Sequence, residues 1–167
     1  MKDVYVEWLV PKKRSLTDKI IRVTIVLMTV ACGLLALLSL NVVVFVVTLV
    51  LAVIAMIAFN YTDVEFEYIY VNGELGIDRI LAKSKRKRIA TFDTGKVEII
   101  APLGSHQLDG HKHKKYKVLD FTTGVRTEKS HIFVMYYAEG KKVLLEPNRE
   151  LMTALKGEMY LKVHIES

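Results

Sequence analysis

The sequence predicts an α+β membrane protein: a transmembrane helical hairpin followed by a small antiparallel β-sandwich or barrel with one capping helix. Three observations predict it. From Val23 to Phe59 the chain runs 37 residues without a charged side chain. From Val64 the apolar residues recur at every second position, the period of a half-buried strand. After Asn148 the period lengthens once, to that of a short amphipathic helix.

The uncharged block is too long for one crossing. At about 1.5 Å per residue it would reach roughly 55 Å, against a hydrocarbon core of about 30 Å. It carries a dent at Ser39-Leu40-Asn41, so two spans are predicted, the first ending near Leu40 and the second covering Val42 to Phe59. Ser15-Leu16-Thr17-Asp18 reads as a capping box that starts the first helix. Small residues at Cys32, Gly33 and Ala36, and at Ala52 and Ala55, are expected on the face where the two helices meet. A cleaved signal peptide is the weaker reading, because a signal core is 7–15 residues long and lies close to the N-terminus.

Lys12, Lys13, Arg14, Lys19 and Arg22 crowd the N-terminal edge of the first span, whereas the Ser39–Asn41 dent holds no Lys or Arg. Positive flanks stay on the cytoplasmic side. With two spans both termini are therefore expected in the cytoplasm, in a multi-pass protein of the plasma membrane; a single kinked span, the weaker reading, would leave the C-terminal domain outside. No ionisable group lies inside the block, which argues against an ion or proton path through this chain alone.

The net charge of +6 divides evenly, +3 over residues 1–22 and +3 over residues 60–167. A soluble part this mildly basic points away from nucleic acid. The lone Cys32 excludes an internal disulfide and suits a reducing compartment. The 108 residues from Asn60 suffice for one small domain.

Val4–Val10, with Trp8 near its centre, reads either as an interfacial anchor or as a strand of the soluble sheet; Pro11 ends it in both cases. Beyond the spans, Val64–Val71 alternates as a strand, and Asn72-Gly73 is the strongest short hairpin signal. Leu75–Ala82 is the return strand. The basic run Lys83-Ser84-Lys85-Arg86-Lys87-Arg88 is expected as the connection to a third strand near Ile89–Phe92. Asp93-Thr94-Gly95 turns into a fourth at Lys96–Ala101. Pro102–Lys115 reads as a long polar loop, and further strands are expected at Tyr116–Phe121, His131–Ala138 and Lys141–Leu145. Asn148 is a good N-cap for a helix over Arg149–Lys156, with Leu151, Met152 and Leu155 as its apolar stripe. Met159–Ile165 is a last apolar run.

On the hairpin Tyr68–Ile80 around Asn72-Gly73, the strand Lys96–Ile100 and the segment Leu144–Leu151, the chain resembles the bacterial pleckstrin-homology-like (PH-like) domains, small β-sandwiches with a capping C-terminal helix. As a whole it is similar to an uncharacterised family of small bacterial membrane proteins with two spans and such a domain. The resemblance implies an N-terminal cytoplasmic or interfacial segment over 1–14, a two-helix transmembrane hairpin over 15–60 and a cytoplasmic PH-like β domain over 61–167. In that fold the helix ends the domain. Here Met159–Ile165 either pairs with an open sheet edge or departs from the fold.

Lys83, Lys85, Arg86, Lys87 and Arg88 are the candidate contacts for anionic lipid headgroups. Lys83, Arg86 and Arg88 also resemble the basic strand-loop by which pleckstrin-type domains hold inositol lipids. The plain alternative is a solvated hairpin tip that blunts edge pairing. His106, His111 and His113 share a loop with Asp109, yet without a rigid wall they read as surface histidines, and no metal is expected. Gly73-Glu74-Leu75-Gly76 lacks the third glycine of a cofactor loop. Ser84, Ser105 and Ser130 sit in no nucleophile elbow. No catalytic residue or cofactor is therefore assigned and no enzyme is expected. Tyr116, Tyr136 and Tyr137 read as core, or as part of an edge that adds a partner's strand.

The function these readings imply is a non-enzymatic, membrane-anchored binding or scaffolding module. Its partners would be the lipid bilayer, anionic headgroups and a partner protein. The alternative is an accessory subunit of a larger membrane complex, such as a transporter, acting through its transmembrane helices.

Overall fold

The computed structural model describes residues 4–127 and 131–165; Ser130 lies outside them. The chain divides into two compact units. One comprises Arg14–Val64 with Leu81–Lys85 and holds the helical hairpin; the other comprises the remaining described residues and holds the sheets.

In the helical unit, α1 covers Leu16–Ser39 and α2 covers Val42–Tyr61, and both are long and apolar enough to cross a membrane. The capping box forms at its expected place, with the Ser15 N–H donating to Asp18 Oδ2 at 3.0 Å. The turn between the helices is two residues long. Leu40 takes a left-handed conformation with φ of 47°, and Asn41 caps α2 by accepting from the Val43 N–H at 2.9 Å. Along α1 the less exposed positions are Asp18, Arg22, Ile25, Thr29, Cys32, Gly33 and Ala36; along α2 they are Val44, Thr48, Leu51, Ala55 and Ala58. These recur every three or four residues, as a helix-contact seam requires. A Cβ built on Gly33 would lie 3.7 Å from Thr48 Cγ2, so the backbone there lies close to its neighbour. Ala55 sits on the seam as expected, but Ala52 is exposed, because it falls one position beyond the Leu51 of the inward stripe.

The β unit is two four-stranded sheets, in the orders β1-β2-β3-β4 and β5-β7-β8-β6. The strands are β1 Tyr5–Pro11, β2 Val64–Val71, β3 Glu74–Leu81, β4 Lys85–Asp93, β5 Val97–Pro102, β6 Lys117–Asp120, β7 Phe133–Tyr137 and β8 Lys141–Leu145. Of the two readings left open for Val4–Val10, the strand is present: β1 runs antiparallel to β2, with Trp8 opposite Tyr68. Asn72 and Gly73 both have positive φ, 45° and 86°, as a two-residue hairpin turn of this twist demands. β6 departs from the antiparallel meander, running parallel to β8 from Lys117↔Lys141 to Asp120↔Leu144.

Phe66, Tyr68, Leu75, Ile77, Phe92, Ile100, Met135, Val143 and Leu145 are buried. Helix α3, Arg149–Glu158, adds Leu151, Met152 and Leu155, and Asn148 caps it by accepting from the Leu151 N–H at 2.8 Å. Met159–Ile165 does pair with an open edge, through one parallel bridge, Ile100↔Val163, flanked by two 2.8 Å backbone hydrogen bonds. The long loop is more ordered than its composition suggests. His106–His111 form a 3-10 helix whose Leu108 is buried against Ala101, Val134 and Tyr136. Burial of β7 on both faces follows, which explains why Phe133–Tyr137 is continuously apolar.

Candidate functional site

Two charged constellations stand out, and the basic run Lys83–Arg88 contributes to both. The run is not the loop its charge density suggests. A tight turn at Ala82-Lys83 lets strand pairing resume at once, so Lys85–Arg88 open β4. Ala82 and Lys83 have φ of 50° and 55°, and neither is a glycine. Each residue so placed costs roughly 1–2 kcal/mol. The Ser84 N–H bonds to Leu81 O at 3.1 Å, and the Ala82 N–H bonds to Asp63 O at 2.9 Å.

Asp63 lies just past the C-terminal end of α2, and its carboxylate pairs with Arg14 at 3.1 Å. Arg22 closes the same end of the hairpin, with Nη2 donating to Phe59 O at 2.8 Å and its guanidinium 4.7 Å from the Phe59 ring. A cation on the last carbonyls of a helix satisfies groups that have no partner within it and complements its dipole. The polar end of the hairpin thus gathers Arg14, Arg22 and the Ala82-Lys83 turn. Lys83 and Lys85 are exposed, as is Lys87, and no ion pair is formed by these three among the described residues.

Arg86 and Arg88 are held differently. Arg86 Nη2 lies 2.7 Å from Glu67 Oε1, and Arg88 Nε pairs with Asp78 Oδ1. Both acids are buried: Glu67 is 0% exposed and Asp78 is 5% exposed. Gly76 makes room for the second pair, since a Cβ there would collide with the Arg88 guanidinium. Glu7 on β1 completes the group, accepting from the Tyr5 hydroxyl at 2.8 Å. Burial, aided by the Glu7 carboxyl, pushes Glu67 up to about 7 although Arg86 opposes it. Glu7 is held below the usual carboxylate range, chiefly by the Tyr5 hydrogen bond. Sequence reasoning missed these acids, because Glu67 occupies the outward position of an alternating strand, where an acid is ordinarily solvated.

The histidine loop does not assemble a site. His111 stacks on Tyr136 with ring centroids 4.5 Å apart, and its Nδ1 lies 3.0 Å from Tyr116 Oη and 3.3 Å from Glu98 Oε2. His106 stays at the surface beside Asp109. Among the described residues, no three His, Cys, Asp or Glu side chains are grouped to hold a metal. Tyr136 and Tyr137 are core residues, 2% and 4% exposed. A groove of about 940 Å³ runs along β1 and the start of α3, lined by Trp8, Val10, Phe133, Pro147, Arg149 and Met152 among others.

Two four-stranded sheets and a C-terminal helix, in a chain that also carries two apolar helices long enough to cross a membrane, define a domain of pleckstrin-homology type. The chain belongs to the family described as "Bacterial PH-like domain (DUF6106)", which it matches over residues 2–165. No curated protein and no solved structure matches it. The family's description names a fold and no activity.

Proposed function

We propose that the chain is a non-enzymatic binding module anchored in the plasma membrane. Its β unit faces the cytoplasm, and its β3–β4 turn rests on the anionic headgroups of the inner leaflet. The observation that carries this reading is the turn itself. Exposed Lys83, on a left-handed backbone, is tied through Ala82 and Asp63 to the polar end of the hairpin. Strain kept in an exposed turn, where glycine would relieve it, is a signature of a functional position. Lys83, Lys85 and Lys87 are the contacts, each worth about 1 kcal/mol near an anionic surface. Arg86 and Arg88 serve the sheet through Glu67 and Asp78.

The basic flank supports the side, and the strand pairing supports the double crossing. Lys12, Lys13, Arg14, Lys19 and Arg22 mark the entry to the first span as cytoplasmic, while the Leu40-Asn41 turn carries no Lys or Arg. In addition, β1 precedes α1 and β2 follows α2, yet the two pair in register. Two crossings, which leave both ends in the same water, accommodate that pairing.

A membrane-impermeant amine reagent tests both parts on the full chain. In intact cells Lys83, Lys85 and Lys87 should stay unmodified. In opened membranes they should react several-fold more slowly at low salt than at high salt, whereas Lys114, in the exposed part of the histidine loop, should change little. Labelling in intact cells overturns the orientation, and equal rates at both salt concentrations overturn the lipid contact.

A further inference from the structure

We propose that Glu7 and Glu67 hold one proton between them, and that this shared proton fastens β1 to β2. The pairing register sets Leu9 opposite Glu67 and Glu7 opposite Ile69. Glu7 and Glu67 are therefore diagonal neighbours on one face, within reach of each other's long side chains. Glu67 Oε1 is taken by Arg86 at 2.7 Å. Its Oε2 is fully buried and has no partner among the described residues. A buried carboxylate oxygen without a donor is costly, whereas a protonated one becomes a donor. Glu7, whose Oε2 accepts from Tyr5, supplies the acceptor.

The charges around the pair need the proton too. From β1 come Tyr5 and Glu7, from β4 Arg86, and from β3 Asp78, which Arg88 already neutralises. One guanidinium thus faces two carboxylates, and the proton cancels the remaining negative charge. A metal ion in its place would lack ligands, since no third one joins the pair among the described residues.

Glu67 is raised to about 7 by burial and by Glu7. The sign follows from linkage. A raised value means that the folded state binds the proton more tightly than the unfolded chain. The contribution is complete below the ordinary carboxylate range and is lost as pH rises through about 7. β1 leads into the first span, so the proton controls how firmly the segment before the hairpin is joined to the segment after it.

Trp8 provides the test, being the chain's single tryptophan; it lies on β1 with Nε1 donating to Glu146 O at 3.0 Å. In full-length protein in detergent, raising the pH from about 5 to about 9 should shift Trp8 emission to the red, with a midpoint near 7. Above that midpoint, deuterium uptake over Tyr5–Pro11, corrected for intrinsic exchange, should rise by up to about tenfold per pH unit. Glu67→Gln carries a permanent donor and should give a flat profile with β1 docked. Glu7→Gln should move the midpoint to lower pH, and it decides the matter if Glu67→Gln does not fold. A flat wild-type profile overturns the proposal, as does an unchanged midpoint in Glu7→Gln or a wild-type response in Glu67→Gln. The lysine labelling above involves none of these groups, so either reading can fail alone.

Discussion

Leucine occupies opposite places in the two units. In the hairpin Leu37 and Leu38 are 72% and 83% exposed, whereas in the β unit Leu75 and Leu151 are 1% and 0% exposed. The side chain is the same and the solvent differs. Against lipid an exposed leucine loses nothing, so the hairpin needs only length, a close seam and satisfied polar ends. Against water the β unit must hide its leucines, and burial becomes its main source of stability. The difference teaches where each unit is vulnerable. The β unit fails at its core, and the hairpin fails at its seam and at its water-facing end.

The largest expected effect tests that contrast directly. Leu151→Ala should destabilise the β unit by about 2–5 kcal/mol, because α3 would leave a cavity over the core. Leu38→Ala should change stability by less than about 0.5 kcal/mol in detergent, since lipid or detergent fills the space. Denaturant titration followed by Trp8 fluorescence measures both, and comparable losses would break the comparison.

Next comes the charged face, where the β unit behaves least like a simple core. Gly76→Ala should displace the Arg88 guanidinium and leave Asp78 buried without its cation, at about 1–3 kcal/mol. Adding Asp78→Asn to this variant should recover part of the loss. No recovery would show that the cost was backbone strain.

The smallest effect has the opposite sign. Lys83→Gly relieves one left-handed residue and should stabilise the protein by roughly 1 kcal/mol. At the same time it should reduce the salt sensitivity of labelling at Lys85. Stabilisation without that reduction would leave the turn strained for no lipid-related reason.

The sequence reading and the structure agree where a feature is local. The uncharged length, the alternation from Val64, the Asn72-Gly73 turn, the Ser15 and Asn148 caps and the α3 stripe are each written within a few consecutive residues. Disagreements arise where partners lie far apart. Charge density suggested a loop at Lys85–Arg88, but the acids that draw Arg86 and Arg88 onto a sheet face, Glu67 and Asp78, lie 19 and 10 residues away. Composition suggested a free histidine loop, but Leu108 anchors it on β7. Of the candidate lipid contacts, the run of bases was legible, while its division into three exposed lysines and two arginines paired with buried acids was not.

By itself, then, the sequence determined that this chain carries two spans and a small β domain closed by a helix, because hydrophobic length and periodicity are properties of neighbouring residues. Only the tertiary structure decided that Tyr5–Pro11 joins the sheet across the whole hairpin, that β6 runs parallel to β8, and that Glu67 is buried. Each of these rests on contacts between residues distant in the chain. Their free energy depends on burial and pairing geometry, which no local pattern encodes.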